Sequence, residues 1–421
     1  MLAWLLLPGL TAAASLPMLP LNYKYGGYPK ISADIKLGEP AQHVIETVVD
    51  LGSADFWVYG PNATIFYGSP YLGVEGPCNV TAEPYFNYPE SSTASAPDNN
   101  SRSYSYGGHS KIVSAYYSIN DTLSFATASY PSLPNTRVEL SNKTLLRQRA
   151  DVCTGIEYEK AILGLAAYSA STGGPNLRRD LVDSGRVPSS ALSLWFDAPP
   201  ADVKSTYRGS ALFGGVPKDK YAGPLVSVQT SASQNDGLYY LAAPTFTVTP
   251  PNGTAKKELP YDKAATQACL VDSGTGTENL PFEAAALYAA LGLIEFQGRP
   301  AFNAPCAAIP ANLTLDYAFP AASNGNKTVT VRVPLRSYAR GISDAFSDGS
   351  VCGLSFTLGS VGSCVLGAPF FTAAFLALSD EGEGGKTEVA LAQGGVSNGA
   401  EEGAVGEVVV VGRGEGLPVD F

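Results

Sequence analysis

One short phrase occurs twice in this chain. Val48-Val-Asp-Leu-Gly-Ser53 is echoed by Leu270-Val-Asp-Ser-Gly-Thr275, and each copy is followed about a hundred residues later by an apolar-apolar-Gly element, Ala161-Ile-Leu-Gly-Leu165 and Cys364-Val-Leu-Gly367. A repeat on this scale constrains the fold more than anything else in the sequence, because it implies one supersecondary unit used twice, a duplicated lobe. Over 23–375, short runs of Val, Ile, Leu, Tyr and Phe alternate with Gly, Pro, Asn and Ser clusters, the pattern of strands joined by turns. Helical spacing is rare and clearest over 282–293. The expectation is all-β with minor helix: an N-terminal lobe over 16–222 and a C-terminal lobe over 223–395, related by a pseudo-twofold axis across a central cleft. Residues 84–110, rich in Ser, Tyr, Asn and Pro, read as a long surface loop entering a hairpin.

The ends speak to compartment. Residues 1–15 join an apolar run, broken only by Pro8 and Gly9, to small residues, and are expected to be a secretory signal peptide, too short to span a bilayer. Eight Asn-x-Ser/Thr sequons, at Asn62, Asn79, Asn99, Asn120, Asn142, Asn252, Asn312 and Asn326, fit an exported glycoprotein. Six cysteines, none in C-x-x-C spacing, suit structural disulfides in an oxidising compartment. From 380 to 421 there are nine acids, two bases and many glycines. Residues 396–421 are therefore expected to be an acidic, partly disordered tail, whose Val408–Val411 run is too short for a membrane span or lipid-anchor signal but suits a strand. The net charge of -11 argues against nucleic acid as a partner, since phosphate binding needs clustered Lys and Arg. Only His43 and His109 exist, so a multi-histidine metal site is excluded, and a Ser-His hydrolase lacks a G-x-S-x-G elbow. No metal and no cofactor are expected.

The chemistry lies in the repeat. Each copy ends an apolar strand on an aspartate, a costly place for a carboxylate unless it is paired or hydrogen-bonded. The glycine permits close approach of another group, and Ser53 or Thr275, three residues after each Asp, can donate to that carboxylate and fix it. Packed about a twofold axis, Asp50 and Asp272 would meet, and like charges a few ångströms apart share one proton. Such a pair can activate a water as base while its protonated member hydrogen-bonds a substrate carbonyl. A single Asp-x-Gly-Ser/Thr is ordinary turn chemistry. Two copies with matching downstream elements are not.

In order along the chain, Asp50-Leu-Gly-Ser-Ala-Asp-Phe-Trp-Val58, Tyr106-Gly107, Ala161-Ile-Leu-Gly-Leu165, Gly209-Ser-Ala-Leu-Phe-Gly-Gly215, Val271-Asp-Ser-Gly-Thr-Gly276 and Val365-Leu-Gly367 resemble the successive signatures of secreted, fungal-type pepsin-like aspartic peptidases, over about 25–393. The resemblance implies a bilobal pepsin-like fold and an extended peptide or protein substrate held by a monomeric enzyme. It implies Asp50 and Asp272 as the catalytic dyad, with Ser53 and Thr275 in support. Gly52 and Gly274 would lie where the family's loops bind substrate backbone, Tyr106 and Gly107 on a closing flap, and Trp57 behind Tyr106 as its indole partner, where plain core packing would also account for it. It implies a Cys306–Cys352 disulfide. The remaining cysteines are expected as Cys269–Cys364 and Cys78–Cys153, although spacing alone leaves connectivity open.

Three departures from the family pattern bear on activity. Leu51 stands where a threonine hydroxyl usually ties the two active-site loops together; Ser273 keeps its hydroxyl in the second copy, so a less rigid dyad and a slow or narrow enzyme are expected. His109 and Lys111 enter the flap and are expected to be solvated at a hairpin tip, where change is tolerated. Family-like text starts near Tyr23, which leaves no room for the usual long pro-segment. The leading expectation is a secreted aspartic endopeptidase acting at acidic pH. The alternative is a pepsin-fold protein with little or no proteolysis, a binding or inhibitory module or a specialised biosynthetic catalyst.

Overall fold

The computed structural model describes residues 16–24, 30–126, 130–147, 160–168, 173–200, 206–231, 237–253, 256–323, 325–340, 349–358, 362–382, 386–397 and 405–420. The segment read as a signal peptide and Cys153, with the pairing expected of it, lie outside them.

The repeat in the sequence is a repeat in the topology. In the first lobe, strand Ile45–Asp50 runs parallel to Ala161–Gly164, with Asp50 opposite Gly164, and Ala161–Gly164 pairs antiparallel with the start of strand Phe56–Ser69. In the second lobe, Ala268–Val271 runs parallel to Val365–Leu366, which pairs antiparallel with Glu278–Leu280. In both cases a short apolar strand from far along the chain wedges between the two arms of an aspartate turn. The sequence dictates this: Val48, Val49, Phe56, Trp57, Ile162 and Leu163 are buried, as are Val271, Leu280 and Leu366. A strand this short and apolar is stable only with neighbours on both sides. The fold is a bilobal, pepsin-like all-β architecture.

A shared sheet joins the lobes. Along its joining stretch the order is Ala222–Ser227, Glu388–Gln393, Ala374–Ser379, Leu192–Phe196, Tyr207–Phe213, Met18–Lys24, after which the sheet continues into the strands of the first lobe. The seam lies between Leu192–Phe196 and Ala374–Ser379, where Leu192 faces Leu378 and Leu194 faces Leu376. Helices are short: Leu177–Asp183, Ala284–Leu291 and Ala368–Phe371, the second lying within the stretch of helical spacing. Among the described residues no helix is long and apolar enough to cross a membrane.

Disulfides Cys269–Cys364 and Cys306–Cys352 are formed, the first pinning the strand that leads to Asp272 against its parallel neighbour. The far C-terminus is more ordered than its composition suggests. Val408–Val410 pairs with Gly215–Pro217, and Val411 and Leu417 are buried in a cluster with Trp195, Phe375 and Leu225. Asp420 closes the strap, its N–H donating to Leu225 O and its Oδ2 accepting from Leu225 N–H, each at 2.7 Å. Val405, Val408, Val411, Leu417 and Val419 all pack into or against this cluster and outweigh the acidic, Gly-rich background, because burial and not average composition decides order.

Candidate active site

Both aspartates stand at strand ends where the chain turns sharply, one from each lobe. Asp50 is 6% exposed. Its Oδ1 accepts from Gly52 N–H at 2.8 Å and its Oδ2 from Ser53 Oγ at 2.5 Å. The second lobe repeats the arrangement, with Thr275 N–H donating to Asp272 Oδ1 at 3.1 Å and Thr275 Oγ1 to Oδ2 at 2.6 Å.

The turns interlock. A Cβ on Gly52 would sit 2.6 Å from Asp272 Cγ, and one on Gly274 would sit 2.4 Å from Asp50 Oδ1. Each glycine therefore leaves the space that the opposite carboxyl fills, a stronger requirement than turn geometry alone. The carboxyls are close enough to titrate together. Burial, then the charge of Asp272, push Asp50 up to about 7 against the pull of its bonds from Ser53 and Gly52. Below that pH Asp50 carries a proton beside the Asp272 carboxyl.

With two aspartate turns facing each other on a duplicated β framework, comparison with known proteins is decisive on family. The model of the eukaryotic aspartyl protease family matches residues 31–393. This chain belongs to that family. Among relatives, it is 27% identical over 291 residues to a probable aspartic-type endopeptidase, opsB, of Aspergillus oryzae, covering 68% of this chain and 54% of the relative. It is 27% identical over 216 residues to candidapepsin-1 of Candida albicans, covering 51% and 48%. The chain thus spans about half the length of the curated relatives it matches.

The loops are tied together from one side. Ser273 Oγ accepts from Leu51 N–H at 3.0 Å and donates to Val49 O at 2.7 Å, so the second lobe grips the backbone on both sides of Asp50. Leu51, fully buried, has no hydroxyl to return the contact and fills the position with apolar bulk.

The residues read as a flap form a hairpin of Arg102–Tyr106 and Lys111–Phe125, closed by Tyr106 opposite Lys111. Gly107, Gly108 and His109 all have φ near +60°, a run that two glycines allow without strain. Tyr106 Oη accepts from Trp57 Nε1 at 2.8 Å. Trp57 is fully buried, so the indole both packs in the core and holds the flap tyrosine.

His109 is exposed, with Nδ1 2.8 Å from Ser105 Oγ. Lys111 corrects the expectation of a solvated tip. Its Nζ donates to Lys160 O at 3.1 Å and lies 4.8 Å from the centroid of the Trp57 ring, fastening the flap to the body. A cation that finds both an aromatic face and a carbonyl loses little by leaving water.

Sequence reasoning also missed Glu278, six residues after Asp272. It is fully buried, with Oε2 accepting from Tyr317 Oη and, at 3.2 Å, Tyr338 Oη. The available signal was a glutamate opening the short strand Glu278–Leu280, just ahead of the apolar Leu280-Pro-Phe282. Among the described residues, no group of three or more His, Cys, Asp or Glu could hold a metal ion. Of the sequon asparagines, Asn62, Asn79, Asn99, Asn252, Asn312 and Asn326 are exposed, while Asn120 and Asn142 are half-buried.

Proposed function

We propose that this protein is a secreted aspartic endopeptidase that hydrolyses peptide bonds of extended substrates at acidic pH, with Asp50 and Asp272 as the catalytic pair. The observation that carries this reading is the interlock of the two carboxyls, which share a proton below about pH 7.

In the reaction, the basic member of the pair removes a proton from a water as that water attacks the peptide carbonyl carbon. The protonated member donates to the carbonyl oxygen, giving a neutral gem-diol. One carboxyl then returns its proton to the amide nitrogen while the other, ionised, takes a proton from a gem-diol hydroxyl, so the C–N bond breaks and an amine and a carboxylic acid are released. Ser53 and Thr275 fix the orientation of the carboxyls, and Tyr106, braced by Trp57, closes over the substrate. Activity should fall as pH rises through about 7, where the shared proton is lost.

The test is incubation of the purified protein with a denatured protein substrate from acidic to neutral pH. Pepstatin-sensitive cleavage that disappears in Asp50→Asn and in Asp272→Asn supports the assignment, and absence of cleavage at every pH rejects it. Leu51 favours a second reading, a cleft that binds without cutting. That reading requires a ligand bound equally well after both Asp→Asn changes. Export and glycosylation at the exposed sequons are tested by a mass shift on endoglycosidase treatment of protein recovered from culture medium.

A further inference from the structure

We propose that Arg178 is a positioning residue for the two aspartates, tying the backbone behind Asp50 to the backbone behind Asp272 from beneath the cleft. The proposal rests on reading those aspartates as the working pair. Arg178 lies in the short helix Leu177–Asp183 of the first lobe and is 2% exposed. Its Nη1 donates to Leu165 O at 3.0 Å and to Tyr239 Oη at 2.5 Å. Nε donates to Ser190 O at 3.1 Å, and Nη2 pairs with Asp380 Oδ2 at 2.8 Å while also reaching Ser190 O. Tyr239 Oη in turn donates to Asp380 Oδ1.

The two residues bridged by Nη1 are what make this more than a buried ion pair. Leu165 N–H donates to Asp50 O at 2.7 Å, and Tyr239 O accepts from Val271 N–H, the residue before Asp272, at 2.9 Å. One nitrogen therefore connects the residue that holds the Asp50 backbone with the residue that holds the Val271 backbone next to Asp272. The connection runs from the first lobe to the second, the direction in which Leu51 offers no hydroxyl, whereas Ser273 supplies the link from second to first. A guanidinium suits the task because its planar fork fixes several acceptors at once, which an ammonium does not. Buried ion pairs are poor sources of stability, and setting register is their best-attested use.

The experiment compares wild type, Arg178→Lys and Tyr239→Phe as full chains, with active sites counted by pepstatin titration. A wild type that cleaves nothing sinks the functional reading, and this proposal with it, before any variant is made. With an active wild type, Arg178→Lys is expected to lower kcat per titrated site by about tenfold or more, since small misplacements of reacting groups are costly. KM should change by less than about twofold, and the alkaline limb of the pH profile should move to lower pH as the carboxyls separate and repel less. Tyr239→Phe, which leaves no lysine to rearrange, should shift both readouts in the same sense by less. A lower melting temperature with kcat per site and the alkaline limb unchanged would overturn the proposal. Should Arg178→Lys fail to fold, Tyr239→Phe decides by the same readouts.

Discussion

Replacing Glu278 with glutamine should remove much of the pH dependence of this protein's stability between acid and neutral conditions. In an unfolded chain the carboxyl titrates near 4.5, whereas burial in the second lobe pushes it up to about 8. Below about 4.5 both states are protonated and the tyrosine-bound carboxylic acid contributes its full stability. As pH rises the unfolded chain ionises first, and stability drains away until the folded group also ionises near 8. The interval between those values corresponds to on the order of 5 kcal/mol, or about 6 °C of melting temperature for a chain of this length. Asp50, raised from 3.8 to about 7, and Asp180, raised by burial from 3.8 to about 6, drain stability in the same direction and account for part of what remains.

Glutamine keeps an acceptor for Tyr317 and Tyr338, so near pH 4 the variant should melt within a few degrees of wild type, a difference of about 1 kcal/mol. The assay is differential scanning calorimetry of both proteins at acid pH and at pH 8. The variant should hold its melting temperature several degrees better across that interval. Parallel loss in the two proteins would refute the reasoning, because it would place the titrating group elsewhere.

Other changes have equally definite outcomes. Trp57→Phe removes the 2.8 Å bond to Tyr106 while filling much of the same space, and should lower kcat/KM about fivefold, the equivalent of about 1 kcal/mol, in steady-state assays. Gly274→Ala puts a methyl 2.4 Å from Asp50 Oδ1. It should cost about a hundredfold or more in kcat by moving the pair apart, with circular dichroism showing the β fold retained. Opening Cys306–Cys352, which closes a 46-residue separation, with paired serines should cost up to about 4 kcal/mol from chain entropy, read as a lower melting temperature with kcat per titrated site preserved.

The fold was legible because its strongest constraint is local and repeated. An apolar strand ending in Asp-x-Gly-hydroxyl, with its apolar-apolar-Gly partner, encodes the wedge of strands in each lobe, and two copies imply the pairing of lobes. The facing of Asp50 and Asp272 follows from the same symmetry. What the sequence did not disclose depends on long-range contact. The tail's Val411 and Leu417 find a home only on a sheet assembled from distant strands. Lys111 looks like any charged turn residue until Trp57 and the Lys160 carbonyl are brought beneath it. Arg178, Tyr239 and Asp380 share no motif, being 61 and 141 residues apart in sequence, and only the closed fold gathers them.

The seam between the lobes bears on how the chain is made. Leu192–Phe196 finds its neighbour in Ala374–Ser379, so the amino-terminal half leaves the ribosome with an open, apolar strand edge in its central sheet. That edge stays available for pairing with other chains until residues 374–379 have been synthesised and docked. A truncated first half would be sticky, and rapid capture of the late strands, or shelter by chaperones during translation, becomes a condition of obtaining soluble protein.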